Sequence, residues 1–222
     1  MKEHGAYSSS EAATYEADRA VEPLWHLENA FVRALLARSV ADTVLDAPVG
    51  TGRFLDLYEG RAVTGIDLST SMLDEASKRA TSLGLSNVAL RQSSVTSLPF
   101  ADKQFDFVVS WRLFHLLPPD TVVPALTELA RVCQGTLCIQ TYERAPSLLR
   151  LIAKAKRWAR RLKLVFSDKR QLTPWSHIRA YTHSREAIEQ AAHSAGLGAP
   201  ATRSFLGDYE GTRVMALVWM LR

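Results

Sequence analysis

Apolar and polar positions alternate in two different rhythms along this chain, and the change of rhythm marks out its elements. Short apolar runs near 43–47, 62–67, 88–93, 105–110 and 136–142 have the length and β-branched content of buried strands. Between them, apolar residues recur at three- and four-residue steps, which predicts helices near 53–59, 70–83 and 120–133. Gly84 closes the second of these as a C-terminal cap. From Ser9 to Arg38 the pattern is again helical, with Leu24, Leu27, Phe31, Leu35 and Leu36 on one face and Pro23 as a break. After a helix at about 184–195 come two β-rich runs, Ala201–Leu206 and Thr212–Leu221, with Asp208, Tyr209, Glu210 and Gly211 as the turn between them. Strands alternating with helices predict an α/β fold, a mostly parallel sheet with helices on both faces.

Composition fits that picture as one domain spanning 1–222, since 222 residues with 47% apolar content can bury a full core. Within it the expected parts are an N-terminal helical cap (1–40), a ligand-binding half (41–143), a basic helical cap (144–183) and a C-terminal helix and hairpin (184–222). No apolar signal segment opens the chain, and the longest apolar run, Val214–Leu221, is too short to span a bilayer. Cys133 and Cys138 have no partner cluster and read as small buried hydrophobes. The expectation is a cytoplasmic protein.

Charge changes the picture in one place. From Arg144 to Arg170 the chain carries ten basic residues against one acid, Asp168. The rest holds seventeen bases against twenty-two acids, so the net charge of +4 comes from this segment alone. Leu148, Leu151, Ile152, Ala155, Trp158, Ala159, Leu162 and Phe166 recur there at helical spacing, which predicts an amphipathic helix. Two readings stand side by side. One is a cap packed on the core with a solvated charged face; the other is a basic face that meets an anionic substrate or membrane surface, with Arg157 among its contacts.

The candidate chemistry lies in Thr43-Val-Leu-Asp46-Ala47-Pro-Val-Gly50-Thr-Gly52-Arg53 and in Gly65-Ile-Asp67-Leu68-Ser69 downstream. A strand runs into a tight glycine turn, and a second strand ends in an acid. Asp46 and Asp67 are twenty-one residues apart, about one strand–helix–strand unit, which sets both at the carboxyl edge of the sheet. Ligands bind at that edge in open α/β sheets. A dinucleotide site needs a third glycine where this chain has Leu55, and Asp46 would repel a pyrophosphate. A ligand with a positive centre and no phosphate fits better, which leaves an NAD(P)-dependent oxidoreductase as the weaker alternative.

These two segments resemble the first and second motifs of class I S-adenosylmethionine-dependent methyltransferases. A third segment, Ser94-Val95-Thr-Ser-Leu98-Pro99-Phe100 through Phe105-Asp106 to Ser110, is similar to the small-molecule branch that includes ubiquinone and menaquinone methyltransferases. The resemblance covers about residues 40–143 and implies a Rossmann-like, seven-stranded sheet closed by an antiparallel C-terminal hairpin strand. It implies S-adenosyl-L-methionine as cofactor, held by Asp46, Ala47, Gly50 and Gly52 at the methionine half and by Asp67 at the ribose hydroxyls. Leu68 would pack on the adenine, Ser94 and Val95 would meet its edge, and Ser110 completes the set. Relatives commonly carry Asp where this chain has Ser94.

For the acceptor, a small molecule, the resemblance points to Trp111, Arg112 and His115 after the fourth strand, His115 as a candidate general base. Tyr7, Tyr15 and Arg19 would close over the cofactor, Tyr15 also reaching the acceptor, while His177 and His183 are weaker candidates. Nucleic acid is disfavoured, because Ser110-Trp-Arg-Leu113 replaces the Asn/Asp-Pro-Pro-Tyr/Phe motif of amino-methylating enzymes that act on it. No metal site is expected. A methyltransferase-fold protein that binds without turnover is the other alternative, and the sequence leaves the oligomeric state and the methylated atom open.

Overall fold

The computed structural model describes residues 23–144, 181, 183–209 and 212–221. Helix α1 (Pro23–Leu36) opens it. Pro23 is the first residue of the described helix, and the part of the expected Ser9–Arg38 helical stretch that precedes it lies outside the described residues. Strand β1 (Thr43–Asp46) leads through the glycine turn to a three-residue helical turn, Leu55–Leu57, and then to β2 (Ala62–Asp67). The longer helix expected at 53–59 does not form. Leu55 and Tyr58 are both drawn into the core, and Gly60, at φ +78°, turns the chain back. Helix α2 (Thr70–Ser82) starts on the Ser69 hydroxyl, which accepts from the Met72 N–H at 3.4 Å. It ends on Gly84 at φ +68°, with Leu85 N–H donating back to Ala80 O.

Strands β3 (Val88–Gln92) and β4 (Phe105–Ser110), helix α3 (Pro119–Val132), strand β5 (Cys133–Arg144), helix α4 (Arg185–Ser194) and strands β6 (Thr202–Tyr209) and β7 (Thr212–Met220) follow. β5 begins directly after the last residue of α3 and is longer than its apolar core at 136–142 suggests. Asp208 and Tyr209, expected in the turn, belong to β6, paired with Arg213 and Thr212, while Glu210 and Gly211 lie outside the described residues.

The sheet order is β3-β2-β1-β4-β5-β7-β6. The first five strands in that order run parallel, while β7 lies antiparallel between β5 and β6. Successive residues of the central strands serve opposite faces. Val44, Phe107 and Val109 pack with Val32 and Leu36 of α1 and Ala76 and Ala80 of α2. Leu45, Val108, Leu137 and Ile139 pack with Leu126 and Leu129 of α3 and Ile188 of α4. Burial on both faces is why these strands read as nearly continuous apolar runs. Cys133 and Cys138 are buried free thiols on β5, as expected. Among the described residues, no helix is long and apolar enough to cross a membrane. Apart from Arg144, which ends β5, the basic segment, with Arg157, lies outside the described residues, as does the N-terminal segment with Tyr7, Tyr15 and Arg19.

Candidate active site

The sheet register brings the candidate residues together. Asp46 pairs with Gly65, so Asp67 projects two residues beyond it on the neighbouring strand. Ala47 N–H donates to Val109 O of β4 and Val49 N–H to Ile66 O of β2, so the loop after β1 leaves between its two neighbours at the carboxyl edge. Gly50 and Gly52 take φ values of +54° and +83°, the left-handed region that favours glycine. A Cβ on Gly50 would meet nothing within 4 Å, so its backbone faces open space. A Cβ on Gly52 would fall 2.6 Å from Leu55 Cδ1, so this glycine serves packing as well as the turn.

Asp67 clamps the loop. Its Oδ2 accepts the Gly50 N–H at 3.1 Å and its Oδ1 the Ser69 N–H at 2.9 Å. Each oxygen keeps a second lone pair for a further donor. Burial raises its pKa above the ordinary carboxylate value, against the lowering effect of those backbone donors. Beside it Leu68 is 62% exposed, an apolar shelf on an otherwise polar edge. Ser94 engages Thr96, hydroxyl to hydroxyl at 2.8 Å, and Val95 is buried next to it.

Asp46 is deeper than a direct ligand contact requires. Its side chain is buried, and Oδ2 accepts the phenolic hydrogen of Tyr58 at 2.9 Å. Oδ1 has no hydrogen-bond partner among the described residues. Burial pushes its pKa up to about 8; the Tyr58 hydroxyl and Arg53 oppose that rise, and Asp67 adds to it. The folded protein therefore holds this proton more tightly than the unfolded chain does. It follows that stability at this group is lost as pH rises from about 4 to about 8. Asp46→Asn, which keeps an acceptor for Tyr58, is expected to flatten that decline, read as urea midpoints between about pH 5 and 8. An unchanged slope would mean that Asp46 is ionised throughout.

Ser110, expected in the cofactor set, ends β4 with its hydroxyl buried and without a partner among the described residues. Trp111 is buried between Phe54 and Phe31, with ring centroids 5.7 Å and 6.3 Å away, so it serves as a wall of the core. The His115 ring meets Tyr142 of β5 edge-on at 4.8 Å. His183 is buried, its Nε2 3.0 Å from both Phe114 O and Leu117 O, which pins the chain after β4. His177 lies outside the described residues.

A further group was not singled out from the sequence. Glu28 of α1 is completely buried and receives Arg53 Nη1 at 2.7 Å, Arg112 Nη2 at 3.2 Å and the side-chain amide of Gln140. Arg53 also stacks against Trp25 and Phe54, its guanidinium carbon 5.0 Å from each ring. A carboxylate in the apolar stripe of a helix, four residues from Leu24 and Val32, is the sequence signal that could have revealed it.

A glycine turn clamped by the acid of the next strand, at the carboxyl edge of a sheet with this strand order, defines a Rossmann-like site for a nucleoside ligand. Residues 44–135 match a family model described as a methyltransferase domain. This stretch of the chain is thus similar to a methyltransferase domain. A phosphatidylethanolamine N-methyltransferase from Cereibacter sphaeroides is 46% identical over 94 residues, 41% of this chain and 45% of that protein. The chain therefore spans less than half the length of this curated relative. Among solved structures, magnesium protoporphyrin IX methyltransferase from Synechocystis PCC 6803 with bound SAH superposes with a TM-score of 0.64 at 17% identity, covering 89% of this chain and 84% of that one. A SAM-dependent methyltransferase from Aquifex aeolicus gives 0.64 at 19% identity, covering 97% and 100%. These two likenesses bear out the expected fold.

Proposed function

We propose that the protein transfers a methyl group from S-adenosylmethionine to a small amphipathic acceptor that bears an anionic group. The Asp67 clamp is the observation that carries this reading. A carboxylate with spare lone pairs, next to an exposed apolar residue and an open glycine turn, suits a ribose diol with a base stacked alongside. The buried Asp46 beneath the turn suits a positive centre, which favours its ionised form, and Leu55 where a dinucleotide turn needs its third glycine speaks against NAD(P).

S-adenosylmethionine, when bound, supplies an electrophilic methyl group on a sulfonium. Asp67 would hold the ribose, Leu68 the adenine face, and Ser94 with Val95 the adenine edge. Asp46, which burial keeps protonated in the free protein, would release its proton and act through its charge from below the loop once a positive centre is bound above it. Ser110 would complete the cofactor contacts, while Arg112 and His115 border the acceptor side, where the protein's task is alignment and exclusion of water. His115 serves as a base where the acceptor must lose a proton before transfer. With Ser94 spanned to Thr96 and uncharged, Ser94→Asp is expected to bind S-adenosylhomocysteine at least as tightly as the parent by calorimetry. A large loss there would place the adenine elsewhere.

Two observations support the acceptor class. Ten basic residues fall between Arg144 and Arg170, and the relative from Cereibacter sphaeroides is named for action on a phospholipid that carries both a phosphate and an amine. A cytoplasmic enzyme that works at an anionic membrane surface accounts for both. The test is transfer of labelled methyl from S-adenosylmethionine to vesicles containing phosphatidylethanolamine and an anionic lipid. Label should enter the lipid, and reversing Arg157, Arg160 and Arg161 to Glu should raise the acceptor KM severalfold and remove its salt dependence. Label in an aqueous metabolite fraction instead would move the acceptor off the membrane. No transfer to either, with S-adenosylhomocysteine bound, would make the protein a binder without turnover.

A further inference from the structure

Arg112 has φ +56°, a left-handed conformation that a non-glycine residue adopts at a cost. The sequence around it does not impose this, so something must hold it. Its backbone N–H donates to Gln140 Oε1 at 2.9 Å, and its guanidinium reaches Glu28 Oε2 at 3.2 Å. Gln140 can offer that oxygen only if its amide nitrogen points the other way, and the nitrogen points at Glu28 Oε1. An ionised carboxylate accepts and cannot donate. Glu28 therefore selects the Gln140 orientation in which the oxygen faces Arg112.

Geometry points to Glu28 as the positioning residue that sets the backbone at Arg112, the turn that follows β4 on the acceptor side of the site. Its reach is unusual for one side chain. It lies on α1, twenty-five residues before Arg53 and eighty-four before Arg112, and its two oxygens serve the segment after the glycine turn, the segment after β4 and the middle of β5. Gln140 is itself fully buried, and Arg53 and Arg112 are nearly so, which fixes the geometry against competition from water. The inference rests on the proposed function only in taking that turn as acceptor-facing; the geometric claim stands without it. The cofactor clamp at Asp67 uses none of these residues, so the two halves of the site are separable.

The test measures hydrogen exchange of the Arg112 amide by NMR in the ligand-free full-length chain. Glu28→Gln can present its own amide nitrogen and no longer selects the Gln140 orientation, so exchange at Arg112 should quicken at least tenfold. The exchanged pair Glu28→Gln with Gln140→Glu puts the carboxylate beside the Arg112 N–H and should restore most of the protection. Val32→Ala, a cavity change at a fully buried apolar residue on the same helix that removes no polar group, controls for loosening of α1. Protection at Arg112 should survive in Val32→Ala, and S-adenosylhomocysteine affinity should stay within about threefold in Glu28→Gln. Equal quickening in Val32→Ala, or no rescue in the exchanged pair, would reduce Glu28 to a general packing role. Absence of S-adenosylhomocysteine binding in the parent chain would instead count against the proposed function and leave the Arg112 exchange result to be judged separately.

Discussion

Asp67→Ala is expected to weaken S-adenosylhomocysteine binding by about 1–3 kcal/mol, roughly five- to 150-fold, measured by equilibrium dialysis. Two losses add. The ribose hydroxyls lose their acceptor, and the Gly50 and Ser69 amides, now held at 3.1 Å and 2.9 Å, lose theirs, so the turn itself is freed. Asp67→Asn should share much of the defect, because an amide has one acceptor oxygen for two backbone donors and turns its nitrogen toward the other. Unchanged affinity in Asp67→Ala would remove the acid from the site.

The largest effect on the fold should come from Glu28→Ala. It takes the shared carboxylate from two guanidinium groups whose side chains are only 8% and 10% exposed. Breaking a buried ion pair from one side costs about 3–5 kcal/mol. For a chain of this size that is a fall in Tm of roughly 6–20 °C. Thermal unfolding followed by circular dichroism reads it directly. A fall of less than about 2 °C would mean that water replaces the carboxylate, and that α1 is held by its apolar face alone. Replacing Glu28, Arg53 and Arg112 together with apolar residues of similar size should recover much of the loss, since the cost lies in the orphaned charges.

Much of this architecture could be read from periodicity. The central parallel strands are apolar almost throughout because each is buried on two faces, and the closing strand showed as the β-rich run Thr212–Leu221, its antiparallel placement implied by the resemblance. The glycine turn and Asp67 were legible because their chemistry is local: a backbone that must bend, and an acid one strand–helix–strand unit away. Tyr58 was not, since its hydroxyl meets Asp46 only after the chain between them folds under the turn. For the same reason 53–59 misled. Its helical spacing comes from residues pulled inward one by one, and only Leu55–Leu57 forms a helical turn. The Glu28 group joins residues up to 112 positions apart, a contact that no window along the chain contains.

The central claim is that the carboxyl edge at Asp46, Gly50 and Asp67 binds the S-adenosyl nucleoside and no dinucleotide. Isothermal calorimetry of the full chain with S-adenosylhomocysteine, repeated with NADH, tests it most directly. The account predicts one site of micromolar affinity for S-adenosylhomocysteine and no heat with NADH. Saturable NADH binding, or no binding of S-adenosylhomocysteine, would contradict it.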